Sequence, residues 1–280
     1  MQGLIVNTKY WTRCRKSGMV FIQKISMNTE NIRILLIQIR KDHTKAHEFE
    51  ILVRDTGFAP EQIVSHDVFI DPRMEMDALR AYDAVIIGGS GAQSVTKPGE
   101  YLPYLEDIVR FCKEEKIPFL GLCFGFQVAV KAFGGTVVND REHMETGTYL
   151  MRRTPESDAD PLVGSLPREF MAGCGRQDRA ETLPPGMVNY VSSDLCPYHY
   201  AVFPDAPFFI TQFHPELWKK EDNVKRVIAF QEKYGMSDEA LQEQLALFDD
   251  APESRFIITN FIEKVVAPYH AQRVSAAAAA

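Results

Sequence analysis

Residues 118–133 read as an apolar strand that runs straight into a helix, with Gly121-Leu122-Cys123-Phe124-Gly125 at the junction. A strand that meets a helix without a loop must turn sharply, and small residues on either side of the turning residue permit that. The same alternation extends to both sides of the junction. Residues 32–39 form a short, nearly continuous apolar run, as expected of a strand buried on both faces of a parallel sheet. A helix is predicted over 45–55, stopped by Gly57 and Pro60, then strands over 63–70 and 83–87 and a helix over 101–115. Strand and helix in turn favour an α/β fold: a doubly wound, mostly parallel sheet with helices on both faces. Ligands of such sheets bind at the carboxyl ends of the strands, which is where Cys123 falls.

Between residues 134 and 213 the texture changes. Short segments at 136–138, 147–151 and 188–192 are separated by Gly and Pro, suggesting an antiparallel or mixed region. Helices follow over 218–234, 237–248 and 253–266, the last two reading as extra C-terminal helices behind the main domain. The expected organisation is therefore an extension over 1–30, a main domain over 31–235, a helical extension over 236–272 and a tail over 273–280. Residues 1–29 hold several basic residues and no acid before Glu30. They read as a disordered extension, with a targeting segment as the alternative and Met27 as an alternative start.

Composition excludes several classes. A net charge of −7 argues against a nucleic-acid partner. No apolar run is long enough for a membrane span. The five cysteines (Cys14, Cys112, Cys123, Cys174 and Cys196) are odd in number, scattered and without a CxxC pair. That is a poor disulfide framework and a poor zinc site, and it favours a reducing, cytoplasmic setting in which a thiol stays free.

Three segments carry chemistry. The first is the junction itself, a cysteine version of the nucleophile elbow. It leaves Cys123 at a helix N-terminus, where the partial positive charge favours a thiolate. The second is Gln212-Phe213-His214-Pro215-Glu216, after the apolar run 208–210. Residues at i and i+2 of an extended strand share a side, so His214 and Glu216 are expected to face one site, as base and orienter. The third is Gly88-Gly89-Ser90-Gly91 after the third strand. Its glycines let backbone N–H groups approach a ligand, and beside a thiol nucleophile they suit an oxyanion hole. It fits neither a P-loop nor a dinucleotide fingerprint.

Together these segments resemble the class I glutamine amidotransferases, over roughly residues 32–234 and closest to their stand-alone, GMP-synthetase-like branch. Gly121-Leu122-Cys123-Phe124-Gly125-Phe126-Gln127 is similar to that family's nucleophile motif, and Gln212-Phe213-His214-Pro215-Glu216 to its second motif. The resemblance implies a flavodoxin-like sheet and a Cys-His-Glu triad of Cys123, His214 and Glu216. It further implies oxyanion donors from the N–H groups of Gly89 and Phe124, and a glutamine pocket shaped by Gly88, Gly125 and Gln127. No cofactor and no metal is implied. One departure stands out: Arg176, in Gly175-Arg176-Gln177-Asp178, occupies a position where stand-alone relatives usually have histidine.

The implied reaction is hydrolysis of the γ-carboxamide of glutamine, with ammonia passing to a separate synthase subunit. A γ-glutamyl peptidase would use the same triad. A non-catalytic binding module would be expected to have lost Cys or His, and a thiol hydrolase sharing only the elbow would lack the second motif. The remaining histidines read blandly: His43 and His47 as a solvated helix face, His66 as a strand end, His143 and His199 as loop residues. Glu145-Thr146-Gly147 is a further candidate for the pocket rim.

Overall fold

Side chains of adjacent strand residues point to opposite faces, so a run that is apolar throughout must be covered on both sides. The computed structural model, which describes residues 29–279 except 72 and 98, has this arrangement. The expectation for residues 1–30 therefore lies outside the described residues save Thr29 and Glu30. Strands β1 (Ile34–Gln38), β2 (Ile63–Asp67), β3 (Ala84–Ile87) and β4 (Phe119–Leu122) are followed by β5 (Thr136–Asn139), β6 (Glu145–Arg153) and β7 (Glu169–Arg176). After these come β8 (Asp178–Thr182), β9 (Val188–Ser192), β10 (Tyr200–Phe203) and β11 (Phe208–Thr211).

Nine of them form one mixed sheet in the order β2-β1-β3-β4-β11-β10-β9-β6-β7, with β5 and β8 paired separately. The stretch from β2 to β11 is parallel, and the sheet continues from β11 to β7 in antiparallel pairs. Leu35, Ile37, Val85, Ile87 and Phe119 feed one core layer, covered by α2 (Leu102–Glu114) and α3 (Phe124–Ala132). Their neighbours Ile34, Leu36, Ala84, Ile86 and Leu120 feed the other, covered in part by Leu52 of α1 (Thr44–Thr56). Helix α1 stops where the sequence says it should, at Gly57 with φ 69°, whose N–H closes on Val53 O at 3.1 Å.

The C-terminal part differs from the expectation of helices added behind a finished domain. After α4 (Lys220–Tyr234) and α5 (Asp238–Ala246), one continuous helical run comprises α6 (Phe256–Asn260), a π-helical stretch (Phe261–Val266) and α7 (Ala267–Ala279). Ile257, Ile258, Phe261, Ile262 and Val266 are buried within the second core layer, so this run completes that layer. Arg273 fastens its far end, donating to Tyr82 O at 2.7 Å, Arg80 O at 2.6 Å and Asp83 Oδ1 at 2.9 Å. Helix α5 lies along the start of β6, where Gln244 Nε2 donates to Thr146 O at 2.9 Å and Leu247 O accepts from Thr148 N–H at 2.9 Å. Among the described residues no helix is long and apolar enough to cross a membrane.

Candidate active site

The β4–α3 junction is the turn that its sequence requires. Cys123 has φ 49° and ψ −89°, a conformation that costs a non-glycine residue about 1–3 kcal/mol and survives only where its surroundings enforce it. They do so on both sides. Cys123 N–H donates to Thr211 O of β11 at 2.7 Å, and Gln127 N–H closes the first helical turn on Cys123 O at 3.2 Å. Gly125 comes so close to β3 that a Cβ there would lie 2.4 Å from Ile87 O, so the second glycine of the motif is a packing requirement. Phe124 N–H is the first of α3 and has no partner within the helix.

His214 and Glu216 meet, by a route that strand geometry did not foresee. Strand β11 ends at Thr211, and Pro215–Leu217 is a 3₁₀ turn. The turn folds Glu216 back so that its Oε1 lies 2.7 Å from His214 Nδ1, while His214 N–H is anchored on Gly173 O of β7 at 2.8 Å. Both side chains are buried, and the Cys123 sulfur lies near enough to the ring to act on its charge. Burial pulls the pKa of His214 down, but the carboxylate of Glu216 and the sulfur of Cys123 outweigh it and hold the imidazole at about 9.

Gln212 is a residue whose part sequence reading missed, although it opens the second motif. Its Nε2 donates to Cys123 Sγ at 3.7 Å, and its Oε1 accepts from Gln127 Nε2 at 3.4 Å. Gln127 also donates to Asp178 O at 3.1 Å. Gln127 thus braces the residue that touches the sulfur, and both are buried.

The Gly88-Gly89 turn lies beside this centre, facing a different way from the expectation. A Cβ on Gly89 would stand 2.7 Å from His214 Cε1, which accounts for the glycine. Its N–H, expected at an oxyanion position, donates to Glu48 Oε1 at 3.1 Å, because a buried carboxylate is the strongest acceptor within reach. Gly88, expected at the pocket, packs against that same carboxylate. Glu48 also accepts from Arg40 Nε and Gln38 Nε2, each at 3.1 Å. Likewise His47 leaves the solvated face expected of it: its Nε2 is 3.2 Å from Asp222 Oδ1.

Arg176, Glu145 and His199 form a second buried cluster. Arg176 Nε and Nη2 lie 2.9 and 2.6 Å from Glu145 Oε2, and His199 Nε2 lies 2.9 Å from the same oxygen. Ser193 donates to Glu145 Oε1 at 2.5 Å. Burial pushes the Glu145 carboxyl up, but these partners bring it down to about 2. Burial lowers the pKa of His199, whose Nδ1 has no hydrogen-bond partner. Glu145, Cys174 and His199 lie close enough together to hold an ion, but Arg176 already supplies the positive charge beside that carboxylate.

Comparison with known proteins gives a consistent answer. The family model for "Glutamine amidotransferase class-I" matches residues 53–231, more than half of the chain. The GMP synthase [glutamine-hydrolyzing] of Thermosipho africanus is 30% identical over 162 residues, which are 55% of this chain and 29% of that protein. The chain thus spans well under half the length of that relative. A GMP synthase [glutamine-hydrolyzing] subunit from Archaeoglobus fulgidus is 27% identical over 150 residues, 54% of this chain and 75% of that one. Among solved structures, a putative GMP synthase subunit from Thermoplasma acidophilum aligns with TM-score 0.63 and 21% identity, covering 86% of this chain and 97% of that one. A glutamine amidotransferase from Thermotoga maritima aligns with TM-score 0.60 and 20% identity, covering 84% and 98%. These two likenesses establish the flavodoxin-like fold.

Proposed function

The chain belongs to the class I glutamine amidotransferases, in their GMP-synthase-like branch, and from that premise we propose that it hydrolyses glutamine through a γ-glutamyl thioester on Cys123. The observation that carries the reading is the contact of Cys123, at its strained turn, with a histidine that Glu216 holds from the other side. The Cys123 proton passes to His214 and the sulfur attacks the γ-carboxamide carbon. His214 returns the proton to the departing nitrogen as the tetrahedral intermediate collapses, releasing ammonia and leaving the thioester. Water, deprotonated by His214, then cleaves the thioester to glutamate and restores the thiol. An imidazole held at about 9 keeps the proton that the leaving group needs at neutral pH.

Phe124 N–H is the oxyanion donor that the helix start supports. A second donor from Gly89 requires its N–H to leave Glu48. Gln127 serves the pocket through Gln212. Relatives named as single subunits of GMP synthase support a separate synthase subunit that takes up the ammonia. The free, buried cysteines Cys112, Cys123, Cys174 and Cys196 suit a reducing compartment such as the cytoplasm.

The test is release of ammonia and glutamate from glutamine, beside a γ-glutamyl dipeptide, for wild type and Cys123→Ala. Turnover in wild type that falls by a factor of about 10⁴ or more in the variant supports the thioester route. Preference for the dipeptide would replace the ammonia donor by a peptidase. Equal activity in both proteins would overturn the assignment of Cys123.

A further inference from the structure

The segment that carries the proposed base rests on the second buried cluster. Gln212, Phe213 and His214 follow the end of β11, and each is fastened to that cluster or to a strand that bears it. Gln212 N–H donates to His199 O at 2.8 Å, adding one rung to the β10–β11 ladder. The Phe213 ring packs against those of His199 and Phe170, at centroid distances of 6.0 and 5.9 Å. His214 N–H donates to Gly173 O at 2.8 Å, an isolated bridge to the strand that also carries Arg176. All three residues are buried. The chain on either side of them is tied together by side chains. Arg176 and His199 both bind Glu145 Oε2, while Ser193 Oγ reaches Glu145 Oε1 at 2.5 Å and His199 Nε2 at 3.1 Å.

Stability alone does not account for such a cluster. Buried charges can often be exchanged for apolar side chains of like volume without loss. Here, moreover, His199 Nδ1 is buried without a partner, which costs about 1–3 kcal/mol. What polar groups supply and an apolar core does not is direction. Two oxygens at Nε2 fix the His199 ring, and the same residue offers the carbonyl that holds Gln212.

We infer that His199 is a positioning residue for the thiol site: anchored by Glu145 and Ser193, it sets the backbone of residues 212–214, and through it the Gln212 amide on the Cys123 sulfur and the His214 ring. This rests on the glutamine hydrolysis proposed above and deepens it. Gln212 Nε2 reaches Cys123 Sγ at 3.7 Å, a long bond that a small shift of the segment would break. A misplacement of about 1 Å can cost about 10²-fold in rate.

The experiment compares His199→Leu, His199→Gln, Gln212→Leu and the double variant His199→Leu/Gln212→Leu with wild type, each checked for folding by circular dichroism. Two readouts are taken well below the melting temperature: kcat and KM for glutamine, and hydrogen exchange of the Gln212 and His214 amides against those of β1. Leucine keeps apolar bulk beside Phe213 but loses the bonds to Glu145 and Ser193, whereas glutamine can return a donor to the place of Nε2. We expect His199→Leu to lower kcat about 10–100-fold with KM within about threefold, since only the reacting groups are displaced. Exchange of the two amides should quicken about tenfold or more while β1 stays as in wild type, a local opening. Glutamine should restore most of both. The double variant should lose scarcely more than the worse single one, because the two residues act along one path.

A folded leucine variant with wild-type kcat and unmoved amides would overturn the inference. So would exchange that rises equally in β1, the mark of general destabilisation, or losses that multiply in the double variant. A glutamine variant as impaired as the leucine one would reduce His199 to packing. If leucine prevents folding, Ser193→Ala takes its place: removing one of the two groups at Nε2 should lower kcat severalfold and loosen the same two amides, and wild-type values of both would refute the role. If wild type does not hydrolyse glutamine, the proposed function fails, yet the exchange rates still judge His199.

Discussion

Among the described residues, two buried histidine–glutamate pairs are in opposite electrostatic states. In His214–Glu216 the nitrogen–oxygen distance is 2.7 Å, and in His199–Glu145 it is 2.9 Å. Burial works against the charged imidazole in both, yet His214 is held at about 9 while His199 is lowered. The difference lies in what surrounds each pair. His214 has Glu216 at Nδ1 and the Cys123 sulfur nearby, and both favour a second proton on the ring. His199 has Glu145 and Ser193 at Nε2 and nothing at Nδ1, so a second proton would be buried without an acceptor. Moreover, Arg176 already neutralises Glu145. A carboxylate recruits a proton onto a neighbouring imidazole only when no other cation has claimed it. One pair thus keeps a proton on its ring at neutral pH, and the other cross-links β6, β7 and the start of β10.

Glu216→Gln should break this contrast most severely. It keeps a hydrogen-bond partner for His214 but removes the charge, so kcat/KM for glutamine should fall by about 10³–10⁴, as when the orienting carboxylate of a triad is neutralised. Its alkaline limb should retreat from about 9 toward the ordinary histidine value of 6.5, which a pH–rate profile reads directly. A limb that stays at about 9 would mean that Glu216 does not hold the proton. Next in size is Arg176→Met, which strips the other pair of its cation. Stability should drop by about 3–5 kcal/mol in urea unfolding, the cost of breaking a buried pair. In the surviving native state His199 should titrate higher, by NMR of its ring protons; an unchanged titration would show that Arg176 is not what keeps it neutral.

The smallest effects are the slopes of stability with pH. His214 is raised, so its contribution is complete below 6.5 and fades as pH climbs through about 9. His199 is lowered, so it costs stability as pH falls below 6.5, where the unfolded chain takes up a proton that the buried ring refuses. Melting temperatures across pH should therefore lose their alkaline slope in His214→Asn and their acid slope in His199→Asn. The second substitution should itself cost about 1 kcal/mol for the lost hydrogen bond to Glu145. Parallel slopes in the two variants would erase the distinction.

In the parallel half, β1, β3 and β4 were legible because they are buried on both faces, and β3 and β4 also end in glycine or at the Cys123 turn. In the antiparallel half, β6 and β9 were anticipated as short strands at 147–151 and 188–192, but β7 was not. In β7, Phe170, Ala172 and Cys174 are interleaved with Met171 and two glycines, a pattern too mixed to announce a strand. The meeting of His214 and Glu216 was foreseen, but from strand alternation, whereas Pro215 starts a 3₁₀ turn that brings them together. Gln212 escaped notice because a glutamine carries no local signal of its role. It matters through a partner far away in sequence, Cys123. The engagement of Gly89 with Glu48 was equally hidden, since it joins the end of β3 to the middle of α1.

The π-helical stretch at Phe261–Val266 and its neighbours have a consequence for the birth of the protein. Ile32, Ile34 and Leu36, near the beginning of the described chain, share a core layer with Ile257, Ile258, Phe261 and Ile262, near its end. During synthesis the early strands leave the ribosome long before the helix that must cover them. One face of the nascent sheet is then unsheltered until that helical run has emerged, a state open to chaperones and to aggregation. Maturation of the thiol site is thus timed by the arrival of a distant helix, long after Cys123 itself has been made.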